Sequence, residues 1–525
     1  MIALISLLLV TIVRAHSDQP QAQTNQGIYI GRQIIHNGTN INNWLGIPYA
    51  QQPIGNLRWM PSQALPSSND TRFAYTPNTC PQDISSGVPM TEACLTLNVY
   101  APENATNLPV YVWIHGGSFI LGAGIHYDAS SFVSTSIQHE VPIIFVTINY
   151  RIGLLGFLAD RELYDEKSGI DNRSTTGNYG ILDQIMALGW IKDNIRGFGG
   201  HPEQITVGGQ SAGGISTIIM LSSSLVKQNT FQRAIIHSGS LWPNFISPLQ
   251  IAIDNSGSIL RTTTNCTTVQ CLRNLTTDQI LSVQRTLASK SIFEVAAPPV
   301  IDNYVLNDTM ENNYAKGNFQ KIPILIGSTA NETTPFTCPL FNDSATVHQV
   351  QDFFTTIYIN TSIINQIPDI YGPISSSHNP LTYLNIVFSD SWAHCGSRRI
   401  ATKLADYNVP AYLYTYNHIV PVAPTCRGAA HVVDLLMFFP TILPYVYPNY
   451  NFTAAEQQLS TNMMLYWINF IRTSNPNFEG SLAHWDAYTH AFDNDFAIDI
   501  HPQMRNSYYN AVCTNLWDLF AISFQ

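Results

Sequence analysis

The feature that most constrains this chain is a serine set between two glycines where a strand-like pattern gives way to a helical one. Residues 204–208 (QITVG) read as a short β-branched strand and residues 212–221 as a helix, with Gly209-Gln210-Ser211-Ala212-Gly213 at the join. A G-x-S-x-G sequence in that context predicts a tight strand-to-helix turn with no room for side chains beside the serine, so both glycines are steric necessities and Ser211 is presented as a nucleophile. The pentapeptide alone is common; the strand before it and the helix after it give it weight.

The first half of the chain alternates in the same way. Residues 110–114 (VYVWI) and 142–148 (PIIFVTI) are unbroken apolar runs bounded by turns, the pattern of strands buried on both faces. Between residues 180 and 195, Ile181, Leu182, Ile185, Leu188, Ile191 and Ile195 recur at helical spacing, and Gly197, Gly199 and Gly200 end the run. Strands alternating with helices predict an α/β architecture, a central and mostly parallel twisted sheet flanked by helices. No internal repeat, heptad run or low-complexity linker divides the 525 residues, so residues 16–525 read as one domain. Directly after the VYVWI run, His115-Gly116-Gly117-Ser118-Phe119 supplies flexible backbone N–H donors of the kind an acyl-transfer serine needs for a developing oxyanion.

Composition narrows the setting. Charged residues make up 11% of the chain, against roughly 25% in ordinary soluble proteins. Sequons for N-glycosylation begin at Asn37, Asn69, Asn104, Asn172, Asn265, Asn274, Asn307, Asn331, Asn342, Asn360 and Asn451, and glycans there would supply the missing solubility. The net charge of −11 argues against nucleic acid or an anionic membrane as partner. Residues 1–13 (MIALISLLLVTIV) followed by Arg14-Ala15 read as a signal peptide of residues 1–15, although a basic n-region is missing, and no other run is long enough to be a transmembrane anchor. Eight cysteines fit an oxidising compartment, secreted or lumenal, without disclosing their pairing. No Cys-x-x-Cys with matching His spacing predicts zinc, so neither metal nor cofactor is expected.

An ordered series of further motifs carries a family resemblance: Gly46-Ile47-Pro48-Tyr49-Ala50, Leu57-Arg58-Trp59, Glu92-Ala93-Cys94-Leu95 before Asn98, Asn149-Tyr150-Arg151 with Gly156-Phe157-Leu158, and Gly177-Asn178 with Leu182-Asp183-Gln184. Over nearly the whole mature chain the sequence resembles the type-B carboxylesterase/lipase family that includes the cholinesterases. The resemblance implies an α/β-hydrolase fold and a serine carboxylesterase. It implies Glu332, five residues beyond Gly327 after the strand 322–326, as the acid, and His431 in Gly428-Ala429-Ala430-His431-Val432-Val433-Asp434 as the general base. It places the oxyanion donors on Gly117, Ser118 and Ala212, and sets Ser238 and Asp390 behind the histidine, where they would hold it in place. It implies buried pairs Arg58–Glu92 and Arg151–Asp183, and disulfides Cys80–Cys94, Cys266–Cys271 and Cys395–Cys513. Cys338 and Cys426 are left as a fourth pair, which would bring the acid and base loops together.

Three positions depart from the family pattern: Gln210 stands where a glutamate is common, Ala93 replaces an aspartate, and Val432 replaces a glycine. A neutral Gln210, with no tryptophan between Cys80 and Cys94 to stack a quaternary ammonium group, points away from choline esters and towards other small carboxylic esters. The alternative is a cholinesterase-like adhesion protein, or one packaged in vesicles, that has lost catalysis, since fold does not dictate function. A glycan on Asn331 would crowd the acid beside it, so that sequon is expected to be buried and unused. Oligomeric state is not legible.

Overall fold

The apolar runs become strands because every side chain on them, on either face, finds a core. Val110, Val112 and Ile114 pack into one hydrophobic cluster and Tyr111 and Trp113 into another, all of them buried. A computed structural model describes residues 19–83, 87–242, 245–288, 297–358, 361–376 and 379–519; the signal segment 1–15 and Asn360 lie outside the described residues.

Eleven strands form the main sheet: β1 Arg32–His36, β2 Thr39–Pro48, β3 Thr96–Pro102, β4 Leu108–Ile114, β5 Ile144–Ile148, β6 Gly200–Gln210, β7 Arg233–His237, β8 Ile324–Thr329, β9 Ala411–Tyr416, β10 Asn494–Ile498 and β11 Gln503–Asn506. Their spatial order is β11-β10-β9-β8-β7-β6-β4-β5-β3-β2-β1. From β5 through β4, β6, β7, β8 and β9 to β10 every neighbour is parallel, and the antiparallel pairs lie at the two edges. Helices cover both faces, as parallel strands require. On one side lie α2 Tyr179–Asn194, α3 Ala212–Ser222, α4 Pro380–Ser389 and α5 Cys395–Asp406; on the other lie α1 Ser130–Gln138 and α6 Ala454–Thr473.

The elements expected from the sequence are present with small shifts. The 142–148 run enters the sheet at Ile144, after Pro142, which lacks an N–H for the ladder. The strand before Glu332 does not end ahead of Gly327 but runs through it to Thr329, so Glu332 stands only three residues past the strand. The order of β6, turn and α3 puts Ser211 at the C-terminal end of a central parallel strand, where open α/β sheets place their ligands.

At that turn Ser211 is held at φ 56° and ψ −122°, and its N–H donates to the His237 carbonyl at 2.9 Å. For a residue with a side chain this conformation costs roughly 1–3 kcal/mol, and it persists because neighbours fix it. The flanking glycines are what permit it. A Cβ on Gly209 would lie 2.4 Å from the Ile114 carbonyl oxygen, and one on Gly213 2.0 Å from the same atom, so the turn packs directly on the end of β4.

Candidate active site

Glu332 and His431 meet at the C-terminal edge of the sheet, where the side chain of Gln210, next to Ser211, reaches the same histidine ring. Glu332 is fully buried. Its Oε1 accepts from Ser238 Oγ–H and from the Thr329 backbone N–H, each at 2.6 Å, and its Oε2 accepts from Nδ1 of His431. Burial pushes the carboxyl up, but the His431 ring and the two donors outweigh it and hold Glu332 below the usual carboxylate range. It is therefore an anion at neutral pH. A carboxylate only accepts, so Nδ1 of His431 carries a proton and donates it to Glu332.

Nε2 faces Gln210, whose side-chain amide N–H donates to it at 3.1 Å. The other end of that amide, Oε1, sits against Gly116, where a Cβ would come within 2.8 Å of it and 3.1 Å from Ser211 Cβ. Gln210 thus bridges the glycine loop and His431. A glutamate there would bring a second acceptor to a neutral ring, so the amide matches the tautomer that Glu332 imposes.

Backbone N–H groups of Gly117, Ser118 and Ala212 donate to no other described group. Gly117 has φ 108° and Ser118 φ 52°, and this left-handed stretch turns the peptide away from β4. His115 anchors the loop: it is buried, Nδ1 donates to the Gly116 carbonyl at 2.8 Å, and burial pushes its pKa down to about 4, so it stays neutral.

The loops that carry Glu332 and His431 are tied together. Asn331 donates its N–H to the Ala429 carbonyl and accepts the Ala429 N–H on Oδ1, both at 2.9 Å, and Cys338 is bonded to Cys426. The side chain of Asn331 is thereby occupied, while every other described sequon asparagine is exposed. The disulfides Cys80–Cys94, Cys266–Cys271 and Cys395–Cys513 are also formed. Asp343 approaches Cys338 and Cys426, but both sulfurs are in the disulfide and offer no thiolate to a metal. Arg58 Nε meets Glu92 at 2.8 Å, and Arg151 meets Asp183 through Nε at 2.8 Å and a terminal nitrogen at 2.7 Å. Neither pair hydrogen-bonds to Ser211, Glu332 or His431.

Two sequence expectations need correction. Ser238 stands behind the acid, not the histidine, because β7 ends beside β8 and delivers its hydroxyl to Glu332. Asp390 bonds to neither His431 nor Glu332; it accepts from His394 Nδ1 at 2.8 Å and from Tyr371 Oη–H at 2.9 Å. Sequence reasoning also missed Phe336 and Trp392, whose rings lie 6.0 and 5.2 Å from the His431 ring, and Phe245, which packs on Trp392 at 5.7 Å. Asp434, three residues after His431, pairs with buried His237 on β7 at 3.2 Å and so anchors that loop to the sheet. No local pattern announces such long-range partners.

Val432 explains its own departure from the family pattern. Its φ is 71°, in the left-handed region where a β-branched residue is strained and glycine is not, and its side chain is exposed. The strain is of order 2 kcal/mol and the extra backbone entropy of glycine about 1 kcal/mol, so Val432→Gly is expected to stabilise the fold by about 1 kcal/mol. A urea unfolding midpoint above that of the parent checks this; a lower one would show that the valine side chain packs for gain.

A parallel sheet flanked by helices, with a strained serine at the strand-to-helix turn and a glycine loop beside it, is the α/β-hydrolase fold. The model of the carboxylesterase family matches residues 18–517. Human cocaine esterase is 30% identical over 92% of this chain and 89% of its own length, and mouse carboxylesterase 1D is 30% identical over 90% and 88%. Among solved structures, a PNB esterase superposes with a TM-score of 0.80 at 28% identity, covering 95% of this chain and 100% of its own. The chain belongs to the carboxylesterase family and is a carboxylic ester hydrolase.

Proposed function

We propose that this chain is a secreted, glycosylated serine carboxylesterase whose single catalytic domain, residues 16–525, uses Ser211 as nucleophile, His431 as general base and Glu332 as the acid that orients it. The observation that carries this reading is the Glu332–His431 hydrogen bond, which leaves Nε2 as an acceptor next to the serine turn. As an ester binds, the Gln210 amide gives up Nε2 and the ring takes the Ser211 Oγ proton. Oγ attacks the acyl carbon, the oxyanion is met by the N–H groups of Gly117, Ser118 and Ala212, and His431 returns the proton to the departing alcohol. Water, deprotonated by the same nitrogen, then releases the acid. Glu332 remains ionised and stabilises the imidazolium.

The neutral amide of Gln210, which adds no negative charge beside the serine, favours an uncharged ester over a quaternary ammonium ester, and the rings of Phe336 and Trp392 beside His431 offer apolar surface to its acyl or alcohol group. Secretion is supported by four disulfides and by exposed sequons; no helix among the described residues is long and apolar enough to cross a membrane. Purified protein is expected to hydrolyse p-nitrophenyl acetate and to be labelled by a fluorophosphonate at Ser211 alone, as read by peptide mass spectrometry. An inert protein, or a label elsewhere, would remove the enzymatic assignment and favour the adhesion or storage reading. The same mapping of material from a secreting host is expected to find glycan at the exposed sequons and none at Asn331.

A further inference from the structure

Behind Glu332 lies a second histidine that the reaction as described does not use. Between α4 and α5 the chain makes a π turn, Asp390–His394, a form often associated with functional sites. The turn sends Trp392 to the ring of His431, 5.2 Å away, and buried His394 to the peptide that holds Glu332. Nδ1 of His394 is 2.8 Å from Asp390 Oδ1 and Nε2 is 2.9 Å from the Thr329 carbonyl oxygen. Both partners are acceptors, so both ring nitrogens must donate, and only the imidazolium has two N–H groups. The same Thr329 residue donates its N–H to Glu332 Oε1 at 2.6 Å.

We infer that His394 is held as an imidazolium and acts as a positioning residue, fixing Thr329 and supplying the positive charge that balances Glu332. The inference rests on the catalytic reading given above. It makes Asp390, His394, Thr329, Glu332 and His431 one connected line, in which the cation of His394 stands between the carboxylates of Asp390 and Glu332. The groups facing His394 are Asp390 from its own turn, Glu332 beyond Thr329, and the Tyr509 ring at 4.7 Å from the C-terminal segment, with Asp495 and Arg505 beyond that ring. Tyr371 donates to the second oxygen of Asp390, and its own oxygen accepts from Trp517 Nε1–H at 2.7 Å. Burial pulls the His394 pKa down, but Asp390, the Thr329 carbonyl and Glu332 overcome this and raise it above the ordinary value. A raised folded pKa gives a sign: the stabilisation is complete below the ordinary histidine range and is lost as pH rises through the folded value. Deprotonation removes one of the two bonds and leaves Asp390 and Glu332 without their cation.

Two measurements test this. In protein labelled with 15N-histidine, one ring assigned by its disappearance in His394→Gln should show both nitrogens protonated at pH 7; a neutral ring overturns the inference whether or not the protein is an esterase. In pH profiles of kcat/KM for p-nitrophenyl acetate, the wild type should lose activity at alkaline pH as His394 deprotonates, and His394→Gln should lack that limb. Removing the cation while Asp390 stays ionised favours protonation of His431, so the acid limb of His394→Gln should move up by about one pH unit, close to tenfold in rate on that limb. In Asp390→Asn/His394→Gln both charges are gone and the acid limb should return towards wild type. Correctly folded variants, judged by circular dichroism, that lose rate with no movement of either limb would reduce His394 to a packing residue and overturn the inference.

Discussion

Replacing Ser211 by alanine is expected to lower kcat for p-nitrophenyl acetate by about 10⁵-fold, and replacing His431 by alanine by a similar factor, while the double variant is scarcely worse than either. The reason is that the two side chains perform one act. The proton of Ser211 has no acceptor without Nε2, and Nε2 has no task without the serine. A residual rate survives because the N–H groups of Gly117, Ser118 and Ala212 belong to the backbone and remain in place. Purified variants assayed at matched concentration check this. Losses that multiply in the double variant would show that the two residues act independently, and a near-normal rate in Ser211→Ala would refute the nucleophile.

Glu332→Gln is expected to lower kcat by about 10⁴-fold with little change in fold, as loss of a triad carboxylate does when its shape is kept. The local hydrogen bonds determine which way the new amide turns. Ser238 Oγ–H and the Thr329 N–H both donate to Oε1, so the amide oxygen must occupy that position and the NH2 must face His431. Nδ1 then becomes an acceptor, the proton moves to Nε2, and the ring can no longer take the proton of Ser211. The same change has a signature in stability. The folded Glu332 carboxyl lies below its ordinary value, so its stabilisation is present above the usual carboxylate range and is lost as pH falls through the depressed value. The glutamine variant has nothing to lose there, and the two proteins should converge in thermal midpoint only at strongly acid pH. A gap that stays constant down to pH 3 would deny that Glu332 is ionised in the fold.

The two glycines that approach Ile114 at the elbow, the apolar runs of β4 and β6 and the glycine loop after β4 are local facts. Sterics or burial fixes each within a few consecutive residues, so a linear reading finds them. Glu332 and His431 are different, because nothing within five residues of either marks it out from other acids and histidines. They were found only by their place in a family pattern. Ser238 and Asp390 came from the same pattern with their partners misplaced, since register alone does not say which neighbour a side chain turns to. His394 was not found at all: its partners Asp390 and Thr329 are 4 and 65 residues away, and the π turn that aims it has no sequence rule.

By itself, the sequence determined the order of strands and helices, the strained turn under Ser211 and the glycines that allow it, because these depend on neighbours along the chain. The tertiary structure alone decided which ring nitrogen of His431 is free, that Gln210, 221 residues away, meets it, and that a second histidine stands behind the acid. A proton's position depends on every acceptor around it, and those acceptors are gathered only when the sheet brings distant loops to one edge.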